Sequence, residues 1–234
     1  MGLMILAIVL LVLAAGTLVL AQPRPLLRLI QALSPGVLFF VETSQPLVAL
    51  TIDDGPDGET TPDILAVLAR YQVTATFFLI SSRVPGQGAV VTAMVAQGHE
   101  LGNHLTEDRP SITLSRAEFT AALTAAHDCL AAFAAPRWLR PASGWYRPAM
   151  VDIAHRHGYG VALGAPFPFD THIPSVDFAC GQILTTIRPG SIIILHDGGQ
   201  RGRRTLVVLE RLLPVLQGRG YRVVSLSELV ALAS

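Results

Sequence analysis

An apolar run that ends in two adjacent carboxylates constrains this chain more than any other feature. Residues 47–52 read LVALTI and stop at Asp53-Asp54-Gly55-Pro56. A short unbroken run of apolar and β-branched residues, closed by a Gly-Pro turn, suits a strand buried on both faces of a parallel sheet. Its tip delivers side chains to the sheet's carboxyl edge. Two neighbouring carboxylates are costly there, because like charges a few ångströms apart raise one another's pKa. A cation offsets the cost, as does a division of labour in which one Asp binds metal and the other takes a proton. Taken alone, the stretch is equally an acidic turn in front of a helix, with Thr61 as cap and Pro62 at the first helical position.

From Leu47 onward, strand-like stretches (47–52, 74–80, 138–140, 160–163, 191–195, 221–225) alternate with helix-like ones (61–71, 87–97, 115–133, 147–157, 178–188, 203–218). Ser115 and Glu118 form a capping box at the start of the longest helix, and Gly98, Gly158 and Gly220 sit where helices should end. The alternation implies an α/β fold, a parallel sheet covered by helices. Its closed form puts functional residues on loops at the strands' carboxyl ends. Residues 47–234 are expected to be one catalytic domain. Residues 22–46, with Pro23, Pro25, Pro35 and Pro46, form a connector with a short helix in its middle.

Residues 3–21 carry no charge and are almost wholly apolar, just enough to span a bilayer core of about 30 Å. Val19-Leu20-Ala21 also resembles the small-residue cleavage site of an export signal. Residues 1–21 are therefore a transmembrane anchor or a signal segment. Arg24 and Arg28 follow it, which by the positive-inside tendency would hold the remainder in the cytoplasm. Export argues the reverse, and we expect a membrane-associated or secreted chain with its catalytic domain outside the cytoplasm. Net charge is zero with 15% charged residues, so nothing suggests a nucleic-acid partner. All 17 basic residues are Arg, which excludes Schiff-base and lysine-nucleophile chemistry. Cys129, in an Ala-rich helical pattern, suits a small core residue, and Cys180 is the only other cysteine.

Three polar clusters fall where loops at strand ends should be. In Gly102-Asn103-His104-Leu105-Thr106-Glu107-Asp108, His104 and Asp108 are four residues apart, so one turn or a tight loop would aim both at one ion. With Asp54 they offer nitrogen and oxygen donors and leave positions open for water and substrate. A surface ion pair explains the same spacing. In Arg140-Pro141-Ala142-Ser143-Gly144-Trp145-Tyr146, Arg140 could hold the spare carboxylate, and Ser143-Gly144 offers backbone N–H groups to an oxyanion. An ordinary turn with an Arg stem on Trp145 accounts for it as well. In Ile192-Ile193-Ile194-Leu195-His196-Asp197, a buried run ends in an ionisable group, which suits a general acid.

These four stretches, in this order, resemble the polysaccharide deacetylases of the NodB-homology type, carbohydrate esterase family 4. The family's Thr-Phe-Asp-Asp-Gly-Pro motif is matched by Thr51-Ile52-Asp53-Asp54-Gly55-Pro56, and Asn-His-Thr-x-x-His by residues 103–108. Arg-Pro-Pro-Tyr-Gly is matched by residues 140–144, and the closing Leu-His by Leu195-His196. The resemblance implies a distorted (β/α) barrel preceded here by a hydrophobic helix, and metal-dependent removal of acetyl groups from an N-acetylated glycan or glycolipid, chitin-like or of peptidoglycan type. It implies Asp53 as base, Asp54 and His104 as metal ligands with Asp108 in the third ligand's place, and Arg140 orienting Asp53. The Ser143 backbone N–H would face the oxyanion and His196 would be the acid. Asp177, before Phe178, is the nearest match to the family's acidic residue that tunes the acid, with Asp170 the second candidate.

Asp108 replaces a His, a harder ligand that shifts preference from zinc towards cobalt or manganese. Leu105 replaces a hydroxyl residue and Ser143 a Tyr. Trp145 and Tyr146 could floor a sugar site, although core packing accounts for them equally. Two other readings stay open: a metal-dependent amidase for a small non-sugar amide, and a catalytically inactive carbohydrate-binding relative.

Overall fold

The computed structural model describes residues 2–233, without the side chains of residues 2–4, 7, 8 and 14. Met1 and Ser234, the outer bounds expected for the anchor and the catalytic segment, lie outside the described residues. The chain opens with α1 (Gly2–Ala21), α2 (Arg24–Leu33) and β1 (Val37–Leu38). Strands and helices then alternate: β2 (Leu47–Asp53), α3 (Thr60–Arg70), β3 (Thr76–Leu79), α4 (Gly88–Ala96), β4 (Glu100–Asn103), α5 (Arg116–Ala131), β5 (Trp138–Leu139) and α6 (Pro148–Arg156). The series ends with β6 (Gly160–Ala162), α7 (Val176–Thr186), β7 (Ile192–His196), α8 (Gly199–Gly218), β8 (Arg222–Val224) and α9 (Leu226–Ala233).

The strands pair in parallel in the order β1-β6-β5-β4-β3-β2-β7, and β8 lies against the first half of β2. Two isolated antiparallel bridges, Phe40 with Ser191 and Ala165 with Ile192, draw the β1–β6 end of the sheet towards β7. The sheet is thus curled into an incompletely closed barrel, as expected. Val37 and Leu38, which fall in the expected connector, are a strand of this same sheet.

All seven residues of β2 are buried, and their alternation explains the site. Val48, Leu50 and Ile52 belong to the layer between sheet and helices, with Ile64, Leu68, Leu209 and Leu212. Leu47 and Ala49 join the inner cluster with Phe78, Ala162 and Ile192. Side chains two apart share a face, so Thr51 and Asp53 point inwards with Leu47 and Ala49. Each fully buried Leu or Ile contributes roughly 1.5–3 kcal/mol, and that apolar layer holds the polar inner face in place.

The capping box of α5 is formed: Ser115 N–H donates to Glu118 Oε2 at 2.7 Å and Glu118 N–H to Ser115 Oγ at 3.2 Å. Gly98, Gly158 and Gly220 all have φ near +80°, as helix-ending glycines should. The expectation for α3 needs correction. Asp57, not Thr61, caps it, accepting from the N–H groups of Glu59 and Thr60 at 2.9 and 3.0 Å. The Thr61 hydroxyl is instead turned to Asp57 N–H and to the carboxylate of Asp197.

The α1–α2 unit meets the barrel at several points, with Gln182 donating to Leu20 O, Arg24 to Pro189 O and Phe39 N–H to Gln31 Oε1. Gln22 Nε2 donates to Phe167 O at 2.8 Å, and Phe167 N–H donates to Gln22 Oε1 at 2.9 Å. Among the described residues no single helix is long and apolar enough to cross a membrane. Val9–Ala21 and Arg24–Leu33 pass that test only together, as a pair bent by 85°.

Candidate active site

Parallel pairing carries the sequence-predicted residues to one edge of the sheet. Asp53 at the end of β2 lies in register with His196 at the end of β7. Asn103 of β4 lies in register with Leu139 of β5, so His104 and Arg140 follow from adjacent strand ends. Asp53, Asp54, His104, Arg140 and His196 are all buried, none more than 9% exposed. Buried charge is tolerated only when paired, and each of these groups has a partner.

Arg140 holds Asp53. Its Nη1 donates to Asp53 Oδ1 at 2.6 Å and to Thr51 Oγ1 at 2.7 Å, its Nε donates to Ala162 O at 3.1 Å, and the guanidinium lies 4.1 Å over the Phe78 ring. Burial lowers the pKa of Arg140, and the Asp53 carboxylate opposes that shift. The remaining Nη2 is buried with no partner, a spare donor beside the carboxylate.

Asp54 is placed differently from its neighbour. Its Oδ1 is 3.5 Å from His104 Nε2 and its Oδ2 is 3.2 Å from Arg201 Nη1. Burial works to raise its pKa, but His104, with help from His196 and Arg83, brings it down to about 2. Burial likewise disfavours charge on His104, yet the Asp54 and Asp53 carboxylates outweigh it and raise the pKa. His104 Nδ1–H donates to Arg140 O at 2.7 Å, which turns Nε2 towards Asp54. Such an outer hydrogen bond is what orients a metal-binding imidazole. Two donors about 2.1 Å from a shared tetrahedral ion lie roughly 3.4 Å apart, so Asp54 Oδ1 and His104 Nε2 fit a divalent cation.

The third expected ligand does not join them. Asp108 is half-exposed and faces Arg83 Nη2 at 3.4 Å. Among the described residues no three His, Cys, Asp or Glu side chains converge on one point. Residues 104–108 form a loop and bends, not a helical turn, so the spacing of four does not bring both side chains to one side. Arg83 also donates to the backbone carbonyl of Asp54, and so links the two loops.

His196 Nδ1 donates to both carboxylate oxygens of Asp170, at 3.0 and 2.9 Å. Burial disfavours the imidazolium, and Asp170 outweighs it, so the His196 pKa is raised. Asp177 is not this partner. It lies on the first turn of α7, with its side chain 89% exposed and paired to Arg211 at 2.6 Å. A carboxylate at that helix start is held out towards solvent by its own helix, whereas Asp170 sits 6% exposed in the loop between β6 and α7.

Of the remaining candidates, Ser143 has φ of +63° within the short turn Ala142–Gly144. Trp145 is 68% exposed, while Tyr146 packs against the second apolar cluster. Asp54, Leu105, Ser143 and Phe169 account for four of the six non-glycine residues with positive φ among the described residues. Each belongs to or adjoins a site loop, and strain of this kind concentrates where a site requires it. The sequence reading did not single out Arg83, Arg201 or Arg204.

The family model described as polysaccharide deacetylase matches residues 40–162. The chain is 31% identical over 197 residues to a peptidoglycan-N-acetylglucosamine deacetylase of Bacillus cereus, covering 83% of this chain and 92% of the relative. It is 36% identical over 199 residues to a chitooligosaccharide deacetylase of Bradyrhizobium, covering 78% and 90%. In structure it resembles the Bc1960 peptidoglycan N-acetylglucosamine deacetylase with a TM-score of 0.79 at 27% identity, over 83% of this chain and 92% of that one. The paired carboxylates on β2, the imidazoles after β4 and on β7 and the arginine after β5 lie within a chain that belongs to the polysaccharide deacetylase family.

Proposed function

We propose that this protein removes acetyl groups from an N-acetylated glycan or glycolipid, with residues 47–234 as the catalytic segment and a divalent cation, zinc or in its place cobalt or manganese, at Asp54 and His104. One observation carries the reading: a fixed carboxylate, an aspartate–histidine pair and a carboxylate-backed imidazole are buried together at the end of one barrel. Asp53, held by Arg140 at 2.6 Å, is free to accept a proton from the attacking water through its other oxygen. The bound cation would supply Lewis-acid polarisation of the acetyl carbonyl and of that water. The Ser143 backbone N–H, in a left-handed turn whose Gly144 N–H is taken by Pro141 O, would face the developing oxyanion. His196, whose pKa Asp170 raises against burial, gives its proton to the departing nitrogen. An amine leaves poorly unprotonated, so base and acid must be separate groups in different environments.

The membrane reading is supported by the bend at Gln22. The apolar α1 meets an amphipathic α2 that exposes Leu29 and Leu33, at 56% and 75%. A bent pair of this kind suits a segment that enters the bilayer and a second that lies along its surface.

Acetate release from chitin and peptidoglycan oligosaccharides by the full chain is the first test, with metal occupancy read separately. The protein should carry about one equivalent of divalent metal, and Asp54→Asn should lose both metal and turnover. Asp108→Ala should weaken metal binding about tenfold. An exposed pair such as Asp108–Arg83 is worth about 1 kcal/mol or less and gives way to a cation. Full occupancy in that variant would remove Asp108 from the ligand set.

The two carboxylates proposed for His196 also part company here. Asp170→Asn should slow amide hydrolysis and move the alkaline limb of kcat/KM to lower pH, since the group that raises the His196 pKa is gone. Asp177→Asn should leave that limb where it was. A shift with Asp177→Asn and none with Asp170→Asn would reverse the assignment.

A further inference from the structure

The cleft beside this centre carries arginines that the acetyl-transfer chemistry does not use. It encloses about 490 Å³ and runs from Asp54 to the start of α8, with Arg83, Arg201 and Arg204 on its wall. The side chains of Arg83 and Arg201 are 37% and 41% exposed. Arg204 Nε is buried without a partner, and the Nη2 of the same guanidinium reaches Asp170 O only at 3.5 Å.

The acidic side chains on the same wall are committed elsewhere. Asp57 accepts from the backbone N–H groups of Glu59, Thr60 and Gly199. Asp197 accepts from the Thr60 and Thr61 hydroxyls and from Gly198 N–H. Asp54 is shared between Arg201 and His104. Arg201 thus meets Asp54, Arg83 the half-exposed Asp108 and the Asp54 carbonyl, and Arg204 the Asp170 carbonyl, and a cation at Asp54 and His104 would make the wall more positive still. Forked, permanently charged donors with unused capacity match the oxygens of a phosphoryl group.

We infer that Arg83, Arg201 and Arg204 form an anion subsite that takes a phosphoryl group carried by the acetamido sugar, beside the acetyl group to be removed. The inference rests on the deacetylase reading for the sugar and on the cleft alone for the phosphate. Two sources carry this chemistry, a soluble sugar phosphate and a sugar joined through phosphate to a lipid. The junction at Gln22 favours the lipid. It is bonded to Phe167, whose ring lies 6.2 Å from that of His196, and the same loop presents Asp170 O to Arg204. An apolar segment thus ends on the loop that bonds Arg204, one of the residues lining the cleft.

The test uses the full chain in detergent micelles. Calorimetric titration with N-acetylglucosamine 1-phosphate and with N-acetylglucosamine should show the phosphate ester binding at least about tenfold more tightly, with the difference falling about tenfold in Arg204→Gln and in Arg201→Gln. Turnover is then compared on chitotetraose, on the sugar 1-phosphate, and on N-acetylglucosamine linked by phosphate to a prenyl chain. A higher kcat/KM on the prenyl substrate than on the sugar phosphate assigns the lipid source, and equal values assign the soluble one. Equal binding of the phosphorylated and plain sugars overturns the subsite, as does an equal loss on all three substrates in both variants. Because binding is read as heat, absence of turnover on every substrate would count against the deacetylase reading and leave the subsite to stand or fall on the titration.

Discussion

Asp53→Asn should keep the fold and the bound metal and lose about 10²–10⁴ in turnover. The amide oxygen can still accept from Arg140 Nη1, which now bonds Asp53 Oδ1 at 2.6 Å and Thr51 at 2.7 Å. Arg140 therefore keeps its partners, and the melting temperature should hold. Arg140→Ala makes the useful contrast, because it leaves the Asp53 carboxylate buried and unpaired. Breaking such a pair costs about 3–5 kcal/mol, so that variant should lose stability as well as rate. Asp54→Asn should lose metal with its activity, since Oδ1 faces His104 Nε2. The comparison needs three readings on each variant: melting, metal content and initial rate. Equal behaviour of Asp53→Asn and Asp54→Asn would mean that base and ligand roles are shared between them.

The contrast between those neighbours also shows what a sequence exposes and what it hides. A buried strand ending in two carboxylates is visible as a pattern, because apolar runs and Gly-Pro turns are local. Period-two alternation then separates the pair, sending Asp53 inwards with Ala49 and Thr51, while Asp54 turns away in left-handed backbone at φ +72°. Four of the eight strands lie within stretches expected from the sequence, β2 and β7 each extend one residue beyond theirs, and the helices from α3 to α8 fall close to the expected spans. The two missed strands are short or polar. Val37–Leu38 is only two residues beside a proline and a glycine, and Glu100–Asn103 sits in a polar cluster. Asn103 is nevertheless fully buried there, bonded to Leu123 O and Tyr159 Oη at 3.1 Å each. Only tertiary contact could supply those partners.

Site residues divide the same way. Asp53, Asp54, His104, Arg140 and His196 each end or follow a strand, so topology alone assembles them. Asp108 and Asp177 depend on where a loop and a helix start point, and contacts from elsewhere decide that. Arg83, from the turn after β3, faces Asp108, and Arg211 of α8 holds Asp177 at the surface. Asp170 ranks behind Asp177 in the sequence because no local pattern marks a loop carboxylate as the partner of a distant imidazole. Arg201 and Arg204 escaped notice for a related reason. On a helix rich in arginine they look like a solvated face until the cleft beside Asp54 is seen.

His196→Ala should bind metal and substrate normally and lose far more rate on an amide than on an activated acetyl ester. Its imidazole ends β7 in register with Asp53 and is backed by Asp170 at 2.9 Å, so removing it touches neither member of the Asp54–His104 pair. A nitrophenolate leaves without a proton, whereas an amine has to be protonated as it departs. Loss of a general acid is worth about 10²–10⁴ where protonation is needed and little where it is not. The pH profile gives a second reading of the same role. The folded pKa of His196 is raised above its ordinary 6.5, because Asp170 outweighs burial. A protonated acid is therefore available below that raised value and is lost as pH climbs through it, so amide hydrolysis by the unaltered enzyme should fall on the alkaline side. The ester reaction should lack this limb, and His196→Ala should abolish it for the amide. Equal losses on amide and ester, with the alkaline limb retained, would move His196 from proton donor to a residue that only positions the substrate.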